Sequence, residues 1–397
     1  MTVSARWALS LGLVAALGCT GLQLGSRDRW EQGVPAPTHH TAVVTPQWRQ
    51  SLAVLTDLDP RSRDRAVPVV DPLRGTLIVG GLDNAVHALR VDDGAEVWRF
   101  QALGPVEGAA VLEGRTVYVG ADDGGLYALD ADNGRMRWRF GTNAEIVHAP
   151  VVTGSTVYVV NADDTVYGVD RSSGQALWRY HRDPPGGITA SGHAGLLLAQ
   201  GCLYTGFADG RVVCLDPGEG TLRWERDTSA DDEQVEGANE SHRTIDVDTT
   251  PVLLDDTLFA ASHTAGLYAL DPAGGGVRWR VESLRAIHAL STDGRDLFAV
   301  SATLGLLRID PADGSILWSR ALGSTSLGRP TMAGPWLLVP SGDHSLWVLR
   351  ATDGEVVQGV GPDGVGAEPL VWGRWLFFKT VRGTVNAWRF QEPPAQG

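Results

Sequence analysis

Residues 117–140 read VYVGADDGGLYALDADNGRMRWRF. Two alternating apolar runs flank a turn rich in Asp and Gly. A second turn follows at Asn133-Gly134, and a short run then carries Trp138. A period of two residues marks strands, not helices. The same pattern recurs at 77–100, LIVGGLDNAVHALRVDDGAEVWRF, and at 157–180, VYVVNADDTVYGVDRSSGQALWRY. It returns near residues 203, 258, 297 and 337, the last copy carrying Val357 where the others carry Trp. A fixed period of this kind decides the architecture before any single residue does.

Each copy is preceded by a further short apolar run, such as Pro150-Val151-Val152, Pro251-Val252-Leu253 or Pro369-Leu370-Val371. Proline is tolerated at a strand's first residue, where no hydrogen need be donated. Four antiparallel strands per unit follow. Trp48, Trp98, Trp138, Trp178, Trp224, Trp279, Trp318 and then Val357 mark the units. The expected fold is all-β, an eight-bladed β-propeller of four-stranded antiparallel blades. The N-terminal run QWRQSL at 47–52 looks like the end of a unit, and 375–390, WLFFKTVRGTVNAWRF, like a unit lacking its last strand. The two complete one another, so an N-terminal strand is expected to close the ring and leave no open edge. The aligned Trp residues are expected in equivalent buried positions between blades, because their even recurrence on outer strands cannot serve one site.

The chain ahead of the ring has a different character. Arg6 precedes an apolar stretch over 7–18, too short to span a bilayer, which needs ~20 residues. It reads as a secretory signal. Ala16-Leu17-Gly18-Cys19 resembles a lipobox, with lipidation of Cys19 as the implied modification and an ordinary cleaved signal as the other reading. Residues 20–46 lack periodicity and read as a tether spanning at most ~90 Å. The expected division is therefore 1–19 signal peptide, 20–46 tether, 47–390 propeller and 391–397 tail.

Net charge is −14, which argues against a nucleic-acid partner, since phosphate contacts need clustered cations. No metal or catalytic site is expected. His39-His40 has no further ligand at metal spacing. Residues 359–364 match GxGxxG, but Pro and Gly lead on towards another strand and not into a helix. Asp130-Ala131-Asp132-Asn133-Gly134 resembles the start of a calcium loop, yet Gly141 stands where the bidentate Glu belongs, so a turn is expected. Cys202 and Cys214 lie on two arms of one expected hairpin, and whether they are bonded stays open.

The units resemble the repeat of pyrroloquinoline-quinone (PQQ) dehydrogenase propellers: a strand, an Asp-Gly turn, L-Y-A-L-D, a second Gly turn, then W. A PQQ enzyme of that family carries vicinal cysteines, and this chain has no Cys-Cys pair. The lipobox-like Cys, the tether and eight such blades resemble the BamB family of lipoproteins in outer-membrane β-barrel assembly. Asp246-Val247-Asp248-Thr249-Thr250-Pro251 is similar to a segment of that family. The resemblance implies a non-catalytic scaffold without cofactor, lipid-anchored on the periplasmic face of the outer membrane. It implies binding, as a monomer within a complex, to the periplasmic domains of a BamA-like barrel-assembly protein. The implied contacts are Asp246 and Asp248, and Ile188 and Ser191 in a stretch that lacks the family's arginine. A periplasmic quinoprotein-like dehydrogenase or a small-ligand-binding propeller is the alternative.

Two longer linkers carry further information. The 178→224 and 224→279 spacings exceed the usual step, and both insertions fall between an outer strand and the next inner strand. Residues 181–195 and 227–250 should therefore lie side by side on one face, where recognition loops sit on a rigid scaffold. Asp246 and Asp248, spaced i, i+2 on an extended segment, should point to one side. Either they meet a basic partner or they cap local backbone N–H groups.

Overall fold

The computed structural model describes residues 42–52, 65–183, 194–229, 246–324, 326–343, 345–361, 363–392 and 394. Its strands form eight four-stranded antiparallel sheets. Blades 1 to 7 follow in chain order over 69–101, 111–141, 151–181, 197–227, 252–281, 287–320 and 331–360. First strands of neighbouring blades meet around the axis, so each sheet runs outward from its first strand to its fourth. Turns between first and second strands, and between third and fourth, share one rim, called lower. Turns between second and third strands share the upper rim with the linkers from one blade to the next.

Blade 8 combines Leu370–Trp372, Trp375–Lys379 and Thr384–Phe390 with the N-terminal strand Val44–Ser51. Val44 pairs with Phe390 and Ser51 with Thr384, so the ring is closed as expected. The closing strand begins three residues earlier than the sequence suggested. Thr45-Pro46 reads as tether, but Pro46 sits on an outer strand at a register shift before Trp48, where its missing N–H is tolerated.

The repeated Trp and the repeated Gly turn are two halves of one contact. Trp98 ends blade 1 and donates its Nε1–H to the carbonyl of Ala131 in the next blade at 3.0 Å. Its six-membered ring lies on Gly134, whose φ is +70°. A Cβ there would come within 2.5 Å of the ring, so Gly134 supplies both a left-handed turn and room for the indole. Trp48, Trp138, Trp178, Trp224, Trp279 and Trp318 repeat the bond to the following blade, from 2.7 Å at Trp48 to 3.2 Å at Trp318. Among the six Trp from Trp98 to Trp318, Trp98 is fully buried, while the others are half-buried because the fourth strand keeps one side in solvent. At the seam without a Trp, the register puts Gln358, and not Val357 as the sequence suggests, in the Trp place. Its Oε1 accepts from the N–H of Val43 and Val44, and its Nε2 donates to the Val44 carbonyl.

The core fills the gaps between adjacent sheets. Ile78, Val86 and Trp98 of blade 1 pack on Val117, Tyr127 and Leu129 of blade 2, and equivalent clusters recur around the ring. Among the described residues no helix is long and apolar enough to cross a membrane.

Candidate functional site on the upper rim

The upper rim is held by a clamp that repeats at successive linkers. The Pro105 carbonyl accepts from Asp122 N–H of the next blade at 2.9 Å, and Val106 N–H donates back to Gly81 of the previous one at 3.0 Å. Glu145-Ile146 does the same between Ala162 and Ala121. The apolar member plugs a gap in the preceding blade: a Cβ on Gly80 would touch Val106, and one on Gly120 would touch Ile146.

Asp246-Val247 is the blade-5 copy of this clamp. His263 N–H donates to the Asp246 carbonyl at 2.9 Å, and Val247 N–H to Phe207 at 3.1 Å. Val247 faces Gly206 as Val106 faces Gly80. The segment beyond is fixed as well. Thr249 Oγ1 donates to the Ala261 carbonyl at 3.3 Å and accepts from the Ala261 N–H at 3.1 Å, while Thr250 Oγ1 accepts from Gly195 N–H at 2.9 Å.

The two carboxylates part company here. Asp246 is only 2% exposed, drawn inward where the clamp holds its backbone. Asp248, one residue past the plug, is half-buried. Its Oδ1 is sealed from solvent and has no hydrogen-bond partner among the described residues. Burial pushes the Asp248 carboxyl above the usual range, and the nearby Asp246 adds to this while His263 and His288 oppose it. Asp248 as a residue is only half-buried, which leaves it within reach of a donor from outside, and partial desolvation strengthens such a bond. His288 is held by its Nε2 on the Leu327 carbonyl at 2.8 Å.

An ionic lattice fixes the neighbouring roots of the two longer linkers. Arg182 Nε donates to Asp209 Oδ2 at 2.7 Å and its Nη1 to Glu225 Oε2 at 2.8 Å. Arg211 joins Glu225 at 2.7 Å and Asp227 at 2.8 Å. Burial pushes the Asp209 carboxyl up, against the pull of Arg182. Arg182 precedes the first insertion and Asp227 the second, so the structure brings both roots onto blade 4. Ile188, Ser191 and Cys19 lie outside the described residues.

Cys202 and Cys214 form a disulfide, with Cα atoms 5.7 Å apart on adjacent strands of blade 4. Asp130–Gly134 is the expected turn, with Gly134 N–H bonded to the Asp130 carbonyl at 2.8 Å. Among the described residues no group of three or more His, Cys, Asp or Glu is placed to hold a metal.

A family model described as outer membrane protein assembly factor BamB matches residues 82–270 and 264–396, almost the whole ring. The chain belongs to the BamB family. BamB of Pseudomonas aeruginosa is 27% identical over 192 residues, covering 48% of this chain and 50% of that protein. BamB of Escherichia coli is 26% identical over 201 residues, 50% of each chain. The chain spans about half the length of the curated BamB relatives it matches. In fold, it superposes on the crystal structure of BamB from Moraxella catarrhalis with a TM-score of 0.73 and 24% identity, covering 88% of this chain and 100% of the other. Quinohemoprotein alcohol dehydrogenase from Comamonas testosteroni shares the fold at TM-score 0.64 and 15% identity, covering 89% of this chain and 78% of that one. BamB and quinoprotein propellers thus share one scaffold, and the site must separate them.

Proposed function

We propose that this chain is a non-catalytic scaffold of outer-membrane β-barrel assembly. It docks the upper rim around blades 4 to 6 onto the periplasmic domains of a BamA-like barrel-assembly protein. The observation that carries the reading is Asp248, a half-buried carboxylate set on a backbone clamped to blades 4 and 5 in a chain of the BamB family. A basic side chain of the partner would pair with that carboxylate, and desolvation at the interface would strengthen the bond. Asp246 serves the site indirectly, through the clamp. Ile188 and Ser191 belong to the adjacent linker and extend the same contact. Lipid on Cys19 holds the protein at the outer membrane, as a monomer within the complex.

The experiment is co-purification. Tagged chain is recovered from detergent-solubilised envelopes, with the Asp248→Ala variant in parallel. The barrel-assembly protein is expected with the wild type and depleted with the variant. Recovery of the chain alone, or absorbance of bound quinone after addition of PQQ and Ca²⁺, would overturn the reading.

A further inference from the structure

On the lower rim, two neighbouring blades carry an indole at one repeated place. The first residue of the second strand is Thr76, Thr116, Thr156 and Thr257 in blades 1, 2, 3 and 5, Cys202 in blade 4 and Leu297 in blade 6. In blades 7 and 8, which are neighbours, the same place holds Trp336 and Trp375. Trp372 sits opposite Trp375 across the turn and is 37% exposed. On the adjoining turn of blade 1, Leu73 is 85% exposed. Local departures from a repeat rule mark places where something other than folding is being served.

Charge departs from the rule in the same sector. Most described arginines of this acidic chain are paired with carboxylates. Arg374 hydrogen-bonds only the carbonyls of Phe390 and Gln391. Arg389 lies 4.9 Å from the centre of the Trp375 ring. Neither has a carboxylate partner among the described residues. Indole rings and unpaired guanidinium groups together match the boundary between anionic headgroups and acyl chains, where Trp is enriched and basic residues gain from the surface charge.

The N-terminal strand leaves the ring at this point. Val43 packs in one cluster with Trp336, Val371 and Trp388, and its carbonyl accepts from Gln391 N–H at 3.0 Å. The described chain therefore begins, at residue 42, on the lower rim of blade 8. We propose that this sector, with Leu73 and Trp372 exposed and Arg374 and Arg389 beside them, rests on an anionic phospholipid bilayer. The upper rim then faces away from the membrane. The orientation draws on the proposed anchor at Cys19, whereas the lipid contact stands on the surface itself.

The test uses the full chain with Cys19→Ser, so that no acyl chain can hold it. It is sedimented with vesicles of phosphatidylethanolamine and phosphatidylglycerol, and with phosphatidylcholine vesicles. Binding is expected on the anionic vesicles and is weakened by roughly tenfold in Leu73→Ser/Trp372→Ser, two exposed positions whose loss leaves the melting temperature unchanged. No sedimentation with anionic vesicles, or equal sedimentation of the variant, overturns the surface. Fatty-acid labelling of the wild type is scored separately. Label without vesicle binding by the Cys19→Ser chain would keep the anchor and remove the surface, and binding without label would do the reverse.

Discussion

Replacing Gly134 by alanine isolates the contact that joins one blade to the next. A non-glycine residue at φ +70° bears a left-handed cost of about 1–2 kcal/mol. Reduced freedom of the unfolded chain offsets about 0.4–1 kcal/mol of it. The new Cβ, built 2.5 Å from Trp98, adds overpacking of about 1–3 kcal/mol. The net expectation is a loss of about 2–4 kcal/mol. Gly114 is the control, with φ +63° and nothing within 4 Å of an added Cβ. Gly114→Ala should cost only about 0.5–1 kcal/mol, the conformational part alone. Urea unfolding followed by circular dichroism measures both, given a single transition with unchanged slope. In a Trp98→Ala background the Gly134→Ala penalty should shrink to the Gly114 level, since the obstructing ring is gone. Equal losses at the two glycines, or a penalty at Gly134 indifferent to Trp98, would refute the interlock.

Three further outcomes follow. Deleting the chain through residue 41 should leave the melting temperature in place, whereas deletion through residue 51 removes the closing strand and should abolish cooperative unfolding; equal melts would dismiss closure by Val44–Ser51. Separating Cys202 from Cys214 by reduction, or by Cys202→Ala/Cys214→Ala, opens a loop of sequence separation 12 and should cost about 3 kcal/mol, checked by denaturation with and without reductant. Because burial raises the folded-state affinity of Asp248 for a proton, the ionised form destabilises the fold; Asp248→Asn should stabilise at neutral pH, and the gain should vanish as pH falls below the unfolded carboxylate range, read from melts across pH.

The fold was legible because its rule is local and repeated. Alternating runs, Gly turns and evenly spaced Trp each name an element, and the incomplete ends at 47–52 and 375–390 complete one another. What the sequence hid depends on contacts between blades. Val44–Pro46 was concealed because Pro argues against a strand, until a register shift on an outer edge accommodates it. The clamp was missed because Pro105-Val106, Glu145-Ile146 and Asp246-Val247 share a position but no side-chain chemistry. Their signal is one apolar residue at a fixed distance before each inner strand, facing a small residue that ends the second strand of the previous blade. Asp246 could not be told from Asp248 by an i, i+2 rule, since that rule ignores which residue lends its carbonyl to the clamp. The disulfide needed register: Tyr204 pairs with Cys214, which sets Cys202 on the diagonal within bonding reach.

The most direct test of the account is calorimetric titration of the full chain with the purified periplasmic domains of the barrel-assembly protein, for the wild type and for Asp248→Ala. If Asp248 offers its carboxylate to a partner cation, the variant should bind about 2–5 kcal/mol more weakly while its melting temperature holds or rises. Unchanged affinity, or no binding by the wild-type chain, would contradict the account.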